Sequence, residues 1–169
     1  MNILMATSET VPFSKSGGLA DVVGALSFAL AEKDVNISVF MPLYGSIDSS
    51  KFNNAYEFNI PMLNKTQEVK ILKQTLNNVT FYALQHPLFS NRMGIYGDTS
   101  FTPYVDNTTR FSLFCLATIE LAKQLETDII HCHDWTTGLI PYLVKQQKLT
   151  FKTIMTIHNL AYQGDYSKY

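Results

Sequence analysis

The hydrophobic pattern changes period several times along the chain, and each change marks an element. Residues 2 to 7 open with Ile3-Leu4-Met5-Ala6, an apolar run of strand length. After Gly17-Gly18, the positions Leu19, Val22, Val23, Leu26, Ala29 and Leu30 recur at helical spacing, with Asp21 in the first turn and Glu32-Lys33-Asp34 at the end. This predicts a helix with one buried face. Val35 to Met41 reads as a second strand, stopped by Pro42 and Gly45. Strand, helix, strand is the expected opening, with a right-handed crossover.

From Ser46 to about Pro103 the period shortens to that of β structure, in runs at 55–60, 68–76 and 79–84. Asn77-Asn78 lies between two of them and predicts a hairpin, because asparagine tolerates positive φ. Gln85 to Pro103, with Pro87, Gly94, Gly97 and many aromatics, predicts a long ordered loop, a feature that tends to carry function. Asp106 or Asn107 then caps a helix whose apolar face is Phe111, Phe114, Cys115, Thr118, Leu121, Ala122 and Leu125. A strand over 128–132 follows, then a helix capped by Thr136 or Thr137 with Pro141 in its first turn, then a strand over 152–157. The alternation predicts an α/β fold: a doubly wound, mostly parallel, Rossmann-like sheet with helices on both faces and a β-hairpin-rich insertion.

Composition narrows what such a fold does. A chain of 169 residues, 46% hydrophobic and 16% charged, is long enough for one domain with a substantial core. Its 13 lysines and arginines nearly balance 14 aspartates and glutamates, so no basic field invites nucleic acid or an anionic membrane. Without a membrane span or a charged region ahead of a signal-peptide core, a cytoplasmic protein is expected. Cys115 and Cys132 sit in apolar segments without CxxC spacing, which predicts buried free thiols.

In a doubly wound sheet, ligands bind beyond the carboxyl ends of the strands, where strand order reverses. Three polar segments fall on that rim: Lys15 to Asp21, His131-Cys132-His133-Asp134-Trp135, and His158-Asn159. A strand feeding a two-glycine turn at a helix start aims bare N–H groups and a positive dipole end at its guest, and phosphate fits both. Lys15, on the arm Glu9 to Ser14, adds a full charge. The plain alternative is a loop glycine pair with a solvated lysine. A dinucleotide oxidoreductase loses ground because GxGxxG is absent, and a P-loop because Lys15 precedes its glycines. Metal-dependent hydrolysis through His131, His133, Asp134 and His158 lacks a third ligand at a recognised spacing, so no metal is expected. Trp135 and the Tyr96-Gly97-Asp98 corner read as packing, or as the aromatic and carboxylate partners that sugars use.

The segment from Met5 to Leu26, with its Lys15-x-Gly17-Gly18-Leu19 motif, resembles the amino-terminal part of bacterial and plant glycogen/starch synthases. The resemblance returns at Met41-Pro42-Leu43-Tyr44, at His131-x-His133-Asp134-Trp135 and at Thr156-Ile157-His158-Asn159-Leu160-Ala161-Tyr162-Gln163-Gly164. It implies a GT-B glycosyltransferase that moves glucose from ADP-glucose to the non-reducing end of an α-1,4-glucan with retention, without a separate cofactor. By similarity, Lys15, Gly17 and Gly18 face the donor phosphates, and Asp21 and Asp134 border the sugar sites. His158 helps hold the transferred glucose, with Asp134 beside it in the catalytic set, and Tyr96 belongs to the acceptor side. Thr136 stands where many members carry histidine. Because members continue for hundreds of residues, residues 1–169 are expected to be a truncated N-terminal domain lacking the C-terminal GT-B domain and inactive alone. A non-catalytic sugar-phosphate binding module is the alternative. Truncation is also expected to leave the strand at 152–157 as an unpaired edge that invites self-association.

Overall fold

A computed structural model describes residues 1–164. Seven strands form one sheet: β1 (Asn2–Ala6), β2 (Asn36–Pro42), β3 (Asn53–Met62), β4 (Lys65–Leu76), β5 (Val79–Gln85), β6 (Ile129–His133) and β7 (Lys152–Thr156). Their spatial order is β3-β4-β5-β2-β1-β6-β7. From β5 to β7 every pairing is parallel, whereas β3, β4 and β5 pair antiparallel as two successive hairpins. The expected fold class, insertion included, is what the chain adopts. Asn77 and Asn78 both have positive φ in the second hairpin, as expected, and the first turns on Leu63 and Asn64 in the same conformation.

Among the described residues four α-helices accompany the sheet: α1 (Gly18–Ala31), the short α2 (Pro87–Ser90), α3 (Asn107–Gln124) and α4 (Leu139–Gln146). Strand residues alternate between two apolar clusters, so each face has its own core. Met5, Val39 and Phe81 join Leu19 and Val23 of α1 on one face. Leu4, Ala6, Phe40, Ile130 and Cys132 join α3 and α4 on the other. Both cysteines are buried and free.

Three local expectations shift. The buried stripe of α1 is Leu19, Ala20, Val23, Gly24 and Ser27, while Val22 is 46% exposed and Ala29 is exposed. Small residues bring this helix close to the chain beneath it, because a Cβ on Gly24 would run into Cγ2 of Val11. The start of α3 falls after Asp106, but that carboxylate caps nothing; it forms a two-toothed ion pair with Arg92 at 2.6 and 2.7 Å. Thr136 and Thr137 lie in a single 3-10 turn, Trp135–Thr137, and α4 starts one residue later from Gly138.

The turn of topology that matters for function is at β1. The chain moves from β1 to β2 and β5 on one side, then returns to place β6 and β7 on the other. Loops after β1 and β6 therefore leave the same rim on either side of the switch point.

Candidate active site

The loop after β1 is tied down rather than free. The hydroxyl of Thr7 donates to the carbonyl of Glu9 at 2.8 Å, the hydroxyl of Tyr44 donates to the carbonyl of Ser8 at 2.7 Å, and the amides of Phe13 and Ser14 donate to the carbonyl of Thr10. Glu9 is 2% exposed and organises the rest. Its Oε2 accepts from the amide of Ser16 and, at 3.2 Å, from the amide of Gly17; its Oε1 accepts from the Ser16 hydroxyl at 2.9 Å. The positive end of α1 thus already faces a carboxylate from its own loop. Of the two amides expected to face phosphate, that of Gly17 donates to Glu9, and that of Gly18 donates to no carboxylate among the described residues.

Lys15 Nζ sits 2.7 Å from Asp21, with both side chains about half exposed at 52% and 54%. Two residues expected in the same site are therefore in contact. An exposed pair of this kind contributes roughly 0–1 kcal/mol, so the ammonium is readily recruited by another anion.

Tyr96 reaches this loop from the segment between β5 and α3. Its hydroxyl lies 2.7 Å from Ser8 Oγ and donates to Glu9 Oε1 at 3.3 Å. Burial, then the neighbouring Glu9 carboxylate, pushes its pKa well up, so it serves as a neutral hydroxyl. The Asn107 side chain donates to the Tyr96 carbonyl at 2.8 Å, while the fully buried Arg110 donates to Ile95, Leu88 and Asn107 and lies against the rings of Phe89 and Tyr104. The loop expected over 85–103 is held from below by this guanidinium.

At the end of β6 the alternation of side chains puts His131 and His133 on one face, their ring centroids 4.2 Å apart. His131 Nε2 lies 2.7 Å from the Thr156 hydroxyl of β7, and His133 Nδ1 lies 3.0 Å from His158 Nε2. Burial, and then its neighbouring imidazoles, pushes the pKa of His133 down to about 3; His131 is lowered for the same reasons. No group of three or more His, Cys, Asp or Glu among the described residues is arranged to hold a metal.

Asp134 follows at φ 57° and ψ −175°, a backbone region that L residues rarely enter. Three contacts hold it there: its amide donates to the Thr156 carbonyl, its carbonyl accepts from Thr137, and its Oδ1 accepts from the amide of His158 at 2.7 Å. Asp134 thereby fixes where the chain after β7 begins. Trp135 has its ring 6.1 Å from that of Tyr96 and 5.1 Å from that of Phe111, and Gly164 passes so close that a Cβ there would run into the indole.

The loops after β1, β6 and β7 carry these residues on one rim, in two groups. Gly17 and Tyr96 meet at Glu9, Lys15 pairs with Asp21 on the same loop and helix start, and His158 joins His133 to Asp134, with Trp135 against Tyr96. Sequence reasoning passed over Glu9 and weighed His133 only as a metal ligand. The signal for Glu9 was present: an acid shortly before a glycine-led helix start is the nearest anion for its bare amides.

Fold and rim together are those of the GT-B-type glycosyltransferase class, with a glycine-led helix start beside a polar strand-end cluster. The profile of the family described as starch synthase catalytic domain matches residues 2–169. This chain belongs to that family. It is 37% identical over 180 residues to a glycogen synthase of Exiguobacterium sibiricum, covering 97% of this chain and 36% of that protein. With a glycogen synthase of Caldicellulosiruptor saccharolyticus it shares 40% over 181 residues, 99% of this chain and 36% of the relative. Among solved structures it resembles the catalytic domain of starch synthase IV from Arabidopsis thaliana bound to ADP and acarbose, at TM-score 0.81 and 30% identity over 96% of this chain and 34% of that one. A sucrose-phosphate synthase of Thermosynechococcus elongatus, at TM-score 0.58 and 15% identity, shares the fold. The chain spans just over a third of the length of these curated relatives.

Proposed function

We propose that this chain forms the donor-phosphate wall of a retaining glucosyltransferase that moves glucose from ADP-glucose to the non-reducing end of an α-1,4-glucan. What supports the reading is the convergence of four family segments on one rim at the switch point of the sheet. The departing ADP needs positive charge where its negative charge develops. Lys15 supplies it by exchanging Asp21 for a phosphate oxygen, and the Gly18 amide adds a donor while Gly17 stays with Glu9. No metal has a part in this account. His158 and Asp134 lie on the sugar side, His158 contacting the transferred glucose from the place Asp134 sets for it. Tyr96 serves the acceptor side, and Asp21 borders the donor.

A cleft that strips ADP from glucose needs two walls, and the relatives' remaining length is the source of the second. The chain alone accordingly binds the diphosphate and does not elongate glucan. Its exposed β7 edge pairs with a second copy in solution.

Calorimetric titration of the chain with ADP-glucose and UDP-glucose tests the donor assignment. Lys15→Ala is expected to weaken ADP-glucose binding about tenfold or more, the scale of one charge-assisted contact, whereas Lys145→Ala on an exposed helix face is expected to leave it unchanged. Equal losses would remove the loop assignment. Glucan elongation restored by fusing the chain to the rest of a glycogen synthase relative would favour an enzyme over a binding module.

A further inference from the structure

Three imidazoles stack where β6 and β7 end. His133 lies in the middle, 4.2 Å from the His131 ring and 5.2 Å from the His158 ring, and the last pair is inclined by only 27°. His133 is fully buried and neutral at pH 7, so it carries a single N–H. Nδ1 faces His158 Nε2 at 3.0 Å, and Nε2 is shut away from solvent with no hydrogen-bond partner among the described residues.

That one proton has two places to sit. On Nε2 it would be a buried donor with nothing to receive it, and His133 Nδ1 would accept from His158. On Nδ1 it is donated to His158 Nε2, and only a lone pair is left unused at Nε2. Orphaned buried N–H groups are rarer than under-used acceptors, and an unmet donor carries the full desolvation cost, so the second arrangement wins.

We propose that His133 is a positioning residue that sets the tautomer of His158: by donating from Nδ1 to His158 Nε2 it places the proton of His158 on Nδ1. His158 Nδ1 has no hydrogen-bond partner among the described residues, and its ring is only half-buried. The amide of His158 is meanwhile held by Asp134 Oδ1. Place and polarity are fixed together, and His158 offers an N–H donor to a sugar hydroxyl oxygen. This last step rests on the reading of His158 as a sugar contact; the tautomer itself does not.

Long-range proton–nitrogen correlation spectra of the nitrogen-15-labelled chain at about pH 8 distinguish a protonated from a bare ring nitrogen. The expected spectrum shows His133 and His158 both protonated on Nδ1. His133→Asn, whose amide can donate from nearly the same place, is expected to keep His158 as an Nδ1–H tautomer. His133→Leu is expected to return it towards the Nε2–H form that imidazole favours in water. A wild-type His158 protonated on Nε2 overturns the proposal, and so does a folded His133→Leu whose His158 is unchanged. The wild-type spectrum decides alone if the leucine variant does not fold. If the tautomers are as stated and added ADP-glucose leaves the His158 signals unmoved, His133 keeps its role and the sugar contact is what fails.

Discussion

Glu9 and His133 show how much a single buried polar side chain constrains this rim. Glu9 meets two amides and two hydroxyls, so its removal would release four donors at once, of which the buried Tyr96 hydroxyl is the least open to water. The exposed Lys15–Asp21 pair contributes far less, and the fixed and exchangeable parts of the loop are thus separated by energy. His133 gives a dependence on pH. Its pKa is near 3 when folded and about 6.5 when unfolded, so between those values the unfolded chain binds the extra proton and stability falls as pH falls. The lowered values of His131 and His86 act in the same direction. Urea unfolding is expected to show roughly 2 kcal/mol less stability at pH 5 than at pH 7 from His133 alone, and His133→Asn should remove most of that difference. A flat profile across this range would contradict the burial of a neutral imidazole.

At the scale of elements, α1 owes its place to small side chains. In a solvent-facing helix, replacing Gly24 with alanine would be favourable by about 1 kcal/mol. Here the new Cβ would collide with Cγ2 of Val11 and lie 3.1 Å from its carbonyl oxygen, and overpacking of that kind costs about 1–3 kcal/mol. Gly24→Ala is therefore expected to lower the melting temperature by several degrees and to loosen the segment that carries Lys15. A higher melting temperature would mean that Val11 yields. The same helix shows where sequence reading reaches its limit. Its existence followed from periodicity, because six apolar positions repeat over little more than three turns. Which face is buried did not, because Ala20, Gly24 and Ser27 pack by closeness rather than by hydrophobicity. Caps were misread at α3 and α4 for a related reason: Asp106 is claimed by Arg92, and Thr137 donates back to Asp134, partners far or irregular enough to leave no local trace.

Across the whole molecule, strand order was legible only as far as the alternation of strand and helix. The rim assignment followed from that alternation, but the joining of Tyr96 to the β1 loop depends on a contact across 87 residues that no periodicity encodes. Among the described residues β7 pairs with β6 alone, and Ile154 and Met155 are 47% and 39% exposed on its two faces. Sedimentation of the chain is expected to show mass rising with concentration, and Ile154→Lys is expected to suppress it. A monomer at every concentration would mean that this edge is silent. A last consequence belongs to the ion pair at the opening of α1. Under the proposed function, a diphosphate drawn to this ammonium competes with Asp21 for it, and a lysine that turns towards the phosphate leaves that acid unmasked. On that reading, cargo arrival and a fresh acceptor for sugar hydroxyls would be coupled through one lysine changing hands.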